Sequence, residues 1–216
     1  MKKRLEALGR MKAPIPKLCY AVCILGWLAV CLYQFTADSL TRAGGGLDPM
    51  QMQPEQFTLA GLQQQEDGTW LTLDGDPQMI WYNEEGRAVR TLLVDADSST
   101  EPRETCLYYT TREGEDFSQD KRVFPEKQPD GSSRYTLPYG AITALRLDPC
   151  SPDPGKPVVI GFEAITMNEP AGALSYFVPS WYEVFCLILY PGMLAAAVSL
   201  ARQAWLKTKT MRKNKQ

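Results

Sequence analysis

The chain has 216 residues, 44% of them hydrophobic, and no histidine, which excludes Ser–His and Cys–His catalysis and histidine-ligated metal sites. Its formal net charge of −2 hides a block pattern: residues 1–17 carry six bases against one acid, residues 202–216 carry six bases and no acid, and residues 38–179 hold eleven of the 23 bases against 23 of the 25 acids, a net −12. Such segregation is foreign to one soluble domain and natural where a membrane separates the blocks, and the acidic middle offers no surface for nucleic acid.

After the basic tail 1–17, Leu18–Phe35 (LCYAVCILGWLAVCLYQF) has no charged residue. At 1.5 Å per residue it spans most of a hydrocarbon core roughly 30 Å thick, so residues 18–35 are predicted as transmembrane helix 1. A cleaved signal peptide ending near Ala37-Asp38-Ser39 is the alternative, but a secretory apolar region is usually only about 7–15 residues long. Leu28-Ala29-Val30-Cys31 resembles a lipoprotein box only faintly, because Val30 is too bulky for the position before the cysteine. Residues 36–55 read as a linker: Gly44-Gly45-Gly46 and two prolines argue against a helix there.

From Gln56 onward, short aromatic and β-branched runs alternate with Gly, Pro, Asp and Ser. Expected strands are Phe57–Leu62, Trp70–Leu73, Met79–Tyr82, Val89–Asp95, Leu107–Thr111, Arg122–Phe124, Tyr135–Leu137, Ala144–Leu147 and Val158–Met167. This texture predicts an all-β jelly-roll or β-sandwich over residues 56–168. In the last strand, Val158, Ile160, Phe162, Ala164 and Thr166 are expected to share one face, with Ile165 and Met167 on the other. Residues 169–180 form a second linker. Trp181–Ala201 is predicted as transmembrane helix 2, with Glu183 at its outer end, Trp181, Tyr182 and Trp205 at the headgroup levels, and a basic tail at 202–216. Positive charge at the inner ends of both apolar runs places both termini in the cytoplasm of a two-pass protein of the cell membrane, with an extracytoplasmic central domain.

Candidate sites are few. Trp70, Trp81, Tyr82, Tyr108 and Tyr109 can stack on sugar rings or fill the core; on a strand only one member of each adjacent pair faces outward. Asp74 and Asp76 flank a turn and can either bond its backbone or supply oxygen to a structural calcium; no other cofactor is expected. Arg146 and Asp148 share a strand face and form an ion-pair candidate. Glu115, Asp116 and Asp120 read as a solvated loop before they read as a glycosidase pair. Cys19, Cys23, Cys31 and Cys186 lie in apolar runs and behave as small hydrophobes. Cys106 and Cys150 are either a disulfide or two buried thiols. In the second apolar run, Gly192, Ala195, Ala196 and Ser199 give small-xxx-small spacings below Pro191, suited to packing against Gly26 of the first helix or against a partner membrane protein.

Three stretches in order, Asp74-Gly-Asp-Pro-Gln78, Tyr108-Tyr-Thr followed by Glu115-Asp-Phe-Ser118, and Leu145-Arg-Leu-Asp-Pro149, carry a family resemblance. Together they resemble the galactose-binding-like (carbohydrate-binding-module-like) jelly-roll domains in exterior portions of bacterial envelope membrane proteins, over roughly residues 56–168. The resemblance implies a sandwich in a glycan setting. No glycosyltransferase domain or multi-span unit accompanies it here, so it implies no activity. The expectation is a non-catalytic membrane-anchored module binding an envelope glycan or partner protein. The alternative is an accessory subunit of a polysaccharide-export or glycosyl-transfer complex working through its helices.

Overall fold

The structure, a computed structural model, describes residues 14–213. The basic residues expected at 1–13 and 214–216 therefore lie outside the described residues. Contacts divide the chain into two units: residues 39–170, and the described parts of residues 1–38 and 171–216.

The first unit is built from twelve strands: β1 (Met50–Met52), β2 (Thr58–Ala60), β3 (Leu62–Gln64), β4 (Trp70–Thr72), β5 (Gln78–Tyr82), β6 (Thr91–Ser98), β7 (Cys106–Thr110), β8 (Arg122–Val123), β9 (Glu126–Lys127), β10 (Ser133–Thr136), β11 (Ala144–Asp148) and β12 (Val159–Met167). One sheet has seven strands in the order β3-β4-β12-β6-β10-β9, with β1 also paired to β12. The other has five, in the order β2-β5-β11-β7-β8. Every pairing is antiparallel. Side chains from both sheets meet in one core: Leu92, Val94, Tyr135, Ile165 and Met167 from the first, Met79, Leu107, Leu145 and Leu147 from the second. Full burial of each aliphatic side chain contributes roughly 1.5–3 kcal/mol. The expected sandwich is present, and its boundaries differ in three instructive ways.

The run Phe57–Leu62 is two strands. Gly61 turns the chain with φ +67°, so that β2 pairs in the five-stranded sheet and β3 in the seven-stranded one. A Cβ at this position would collide with the Asp74 carboxylate, which makes glycine a packing requirement as well as a conformational one. Likewise Met79–Tyr82 and Val89–Asp95 do not pair with each other; β5 and β6 belong to opposite sheets and the turn between them is an arch.

The face assignment of the last strand is corrected by a bulge. The register of β12 against β6 slips between Phe162 and Ala164, leaving Glu163 as the extra, exposed residue. One extra residue inverts the alternation. Ile160 and Phe162 before it, and Ile165 and Met167 after it, therefore all face inward.

β12 ends at Met167 and is followed by Asn168, whose φ of +58° is left-handed. The buried amide locks this conformation: its Nδ2 donates to the Ala88 carbonyl at 2.8 Å and its Oδ1 accepts from the Arg90 N–H at 2.8 Å. Arg42 donates to the Leu47 carbonyl at 2.8 Å and reaches the Asn168 carbonyl at 3.3 Å.

Helix α1 runs Pro14–Ala43, 30 residues, past the expected boundary at Phe35. The correction has a simple cause: the glycines and prolines that argue against a helix in 36–55 all lie at or beyond Gly44, while Thr36–Ala43 tolerates helix. Strand pairing then begins at Met50, so the linker is only a few residues long. Helix α2 runs Trp181–Lys213, continuing through Pro191, and a short 3-10 turn at Ala173–Phe177 occupies the expected second linker. Ser180 and Glu183 cap α2 reciprocally: Glu183 accepts the Ser180 N–H at 2.8 Å and its own N–H donates to the Ser180 hydroxyl at 3.2 Å.

α1 and α2 pack along a four-residue spacing on α1, where Cys19, Cys23, Trp27 and Cys31 are buried or half-buried. The Trp27 indole N–H donates to Glu183 at 3.3 Å, the Tyr20 hydroxyl donates to the Ile188 carbonyl at 3.0 Å, and Tyr176 donates to Asp38 at 3.0 Å. Gly192 faces the Tyr20 hydroxyl and Ala195 is buried. Ser199 is half-buried, whereas Ala196 and Gly26 are exposed and take no part in this packing.

Candidate functional site

The outer face of the five-stranded sheet carries the polar and aromatic side chains. Register places Tyr82, Ala144 and Thr110 in one row across β5, β11 and β7, and Ile80, Arg146 and Tyr108 in the next. The inner face takes the alternate residues, so Trp81 and Tyr109 pack against the core. Of the five aromatic candidates, Trp70 is buried at 5% exposure on the other sheet, and Tyr108 faces outward but is covered at 6%. Tyr82 alone among them presents its ring, at 56% exposure.

Tyr108 is covered by a charge network. Arg146 grips Asp148 with two hydrogen bonds, Nε to Oδ1 at 2.7 Å and Nη2 to Oδ2 at 2.8 Å, and Nη2 also reaches Asp76 at 2.9 Å. Its guanidinium lies 5.1 Å from the centre of the Tyr108 ring, whose hydroxyl accepts from Gln119 at 3.0 Å. Burial holds the Asp148 carboxyl above its ordinary range, and the Arg146 charge beside it draws it back. The expected Arg146–Asp148 pair is thus present and extends across strands to Asp76. Asp74, for its part, accepts the Asp76 N–H at 3.0 Å. The two carboxylates of the turn serve different partners, and among the described residues no cluster of three or more acidic or cysteine side chains gathers to hold a metal.

Cys106 faces this network, its sulfur 4.0 Å from Asp148. Cys150 packs separately with Val158 and Ile160. Both are buried free thiols, and burial raises the Cys150 thiol to about 11.

The loop after β7 builds the site. Glu115 accepts the Thr111 N–H at 2.9 Å and Lys121 Nζ at 2.6 Å, folding residues 111–121 back over the sheet. The Lys121 ammonium and the amide hold the Glu115 carboxyl down to about 2. Thr143 ties the loop to the sheet by donating to the Arg112 carbonyl at 3.0 Å. Asn83 pins the opposite arch, accepting the Arg87 N–H at 2.9 Å and donating to the Ile142 carbonyl at 2.6 Å.

Between loop and arch lies an open cleft of about 620 Å³, with Ile80, Tyr82, Thr110 and Ala144 as its floor. Residues 112–117 form one wall, ending in the half-buried Phe117, and Asn83 and Glu84 form the other. This volume lies within the range of small-ligand clefts, and the lining combines the aliphatic Ile80 and Ala144 and the Tyr82 ring with a polar and charged rim. Glu115, expected in a solvated loop, is instead the latch of that wall. The sequence held one signal for the cleft, the Glu115-Asp-Phe-Ser118 stretch, but no period or spacing tied it to Tyr82.

No protein-family model and no curated protein matches the chain. Two solved structures are similar to part of it. One is a low-affinity xylan-binding module, CBM86, from Roseburia intestinalis, with a TM-score of 0.38 and 16% identity over 58% of this chain and 98% of that one. The other is CsCBM6-3 from Clostridium stercorarium in complex with cellobiose, with a TM-score of 0.28 and 9% identity over 54% of this chain and 93% of that one.

Proposed function

We propose that the chain is a membrane-anchored, non-catalytic module whose outer-face cleft binds an envelope glycan. The observation that carries this reading is the cleft itself: a preformed concavity with the exposed Tyr82 ring on its floor, Phe117 in its wall and a polar rim. A pyranose presents an apolar C–H face and a girdle of hydroxyls, which calls for this combination of ring and polar rim. The hydrogen bonds of Glu115, Thr143 and Asn83 fix both walls before any ligand arrives, which lowers the ordering cost of binding. Glu115, the residue nearest to a glycosidase role, is neutralised by Lys121 and held far below the range a general acid needs.

Both helices are long and apolar enough to cross a bilayer. Leu18, Val22, Leu25 and Leu32 on α1 and Phe185, Ile188 and Leu200 on α2 are exposed large apolar side chains, which suit a lipid surface. In this reading the termini are cytoplasmic and the sandwich lies outside. A galactose-binding-like jelly-roll assignment accords with the ordered motifs of the sequence.

The test is a glycan array probed with the full chain in lipid nanodiscs, alongside Tyr82→Ala. Expected is weak binding to a subset of glycans, lost in Tyr82→Ala with unchanged far-ultraviolet circular dichroism. A folded wild-type chain that binds no glycan would overturn the reading and move the function to the helices.

A further inference from the structure

We infer that the cleft selects saccharides carrying free amino groups over neutral or acidic ones. This rests on the reading of the cleft as a saccharide site and adds the charge class of its ligand.

The cleft lining contains four carboxylates, Glu84, Glu113, Glu115 and Asp116, and one cation, Arg112. Glu115 is committed to Lys121 and the Thr111 amide. Glu84, Glu113 and Asp116 are exposed and form no ion pair among the described residues. Their charges stand on both walls of the concavity, Glu84 on the arch and Glu113 and Asp116 on the loop, above an apolar floor. A concave, low-dielectric wall focuses the field of such charges into the cavity. A uronic acid or sulfated sugar entering there meets net repulsion, and a neutral sugar gains nothing from the field. A hexosamine with a free ammonium donates charge-assisted hydrogen bonds to the rim while its C–H face lies on Tyr82. The surrounding domain, acidic overall, adds long-range attraction for the same class of ligand and against anionic polymers.

Local and global charge are separable. In the full chain in nanodiscs, at pH 6 and low salt, binding is measured for a glucosamine tetrasaccharide, its fully N-acetylated counterpart and a tetragalacturonate. The expected order is amine first, by roughly tenfold over the acetylated form, with the galacturonate unbound; two exposed pairs in the upper half of the measured range give such a factor. The double variant Glu113→Gln/Asp116→Asn removes most of that preference. Glu66→Gln/Glu101→Gln removes the same number of charges from exposed positions outside the cleft and retains it.

Equal affinity for the amino and acetylated forms, or equal loss in both double variants, overturns the inference. It leaves the saccharide reading intact if Tyr82→Ala still abolishes binding. Failure of all three saccharides to bind overturns both. Tighter, Tyr82-independent binding of an oligolysine peptide overturns the saccharide class and identifies a basic peptide surface.

Discussion

Replacing Arg146 with Met should destabilise the sandwich by about 3 kcal/mol at pH 7, through the carboxylate it leaves behind. Asp148 is 6% exposed and receives two of its hydrogen bonds from that guanidinium, with the Cys106 sulfur 4.0 Å away and the negative charge of Asp76 acting on it. Removing one member of a buried pair costs about 3–5 kcal/mol; the lower end applies because the Arg146 side chain keeps 19% of its surface in solvent. The methionine retains most of the stem that packs near Tyr108, so lost packing is a minor part. The assay is urea denaturation of residues 39–170, followed by tryptophan fluorescence, with Asp148→Asn and the double variant completing a cycle. For a domain of this size, with a slope of about 1–3 kcal/mol per molar urea, the midpoint falls by roughly 1–3 M. The penalty depends on pH with a definite sign. Without Arg146, the Asp148 carboxyl in the folded state titrates further above its unfolded value, so the folded state binds the extra proton. Stability of the variant therefore rises as pH falls from 7 towards the unfolded carboxylate value near 4, and is lost as pH rises through the folded value. In the double variant most of the penalty disappears at every pH. A loss below 1 kcal/mol that does not change with pH would refute the reasoning and make the network a surface ion pair.

Deleting Glu163 removes the bulge but leaves Phe162, Ile165 and Met167 on the inward face opposite their β6 partners, so residues 39–170 should keep near-ultraviolet circular dichroism and cooperative unfolding; loss of both would contradict the register. Cys106 and Cys150 should resist alkylation at pH 8 in the native chain and both react after denaturation; a disulfide-bridged mass would contradict their placement as free thiols. The Thr111 amide should keep its hydrogen-exchange protection down to pH 3. The Glu115 interaction is present above the unfolded carboxylate value and is lost only as pH falls through about 2, whereas Glu115→Ala, which removes the acceptor, should expose that amide at neutral pH.

The sandwich was legible because strand runs and turn residues repeat at short intervals, and its core positions follow from alternation in β5, β7 and β11. Alternation failed at Glu163, since nothing in Val158–Met167 marks one residue as extra; a bulge is fixed by pairing with β6, which no single strand reveals. The crossing at Gly61 was hidden for the same reason: a glycine between two apolar runs is consistent with a bend in one strand. On α1 the apolar run is clear, but its end is masked in the sequence, because the Gly44–Gly46 run dominates residues 36–55 and outweighs the eight helix-compatible residues before it. The packing face of α1 is written in the four-residue spacing of Cys19, Cys23, Trp27 and Cys31, whereas Gly26, the smallest residue of the run, lies on the exposed face. Tyr82 was accessible as one of an outward-or-inward pair. The cleft above it was not, because its walls are irregular loops whose shape depends on Glu115, Lys121 and Thr143 meeting across the fold.

The central claim is that this cleft holds the ligand, and oxidative footprinting of the full chain in nanodiscs tests it directly. Four exposed or half-exposed rings serve as reporters: Tyr82 and Phe117 in the cleft, Phe124 and Tyr139 outside its lining. With a saturating bound saccharide, oxidation of Tyr82 and Phe117 should fall severalfold while Phe124 and Tyr139 are unchanged. Protection of Phe124 or Tyr139 with Tyr82 unaffected would contradict the account and place the binding surface elsewhere on the domain.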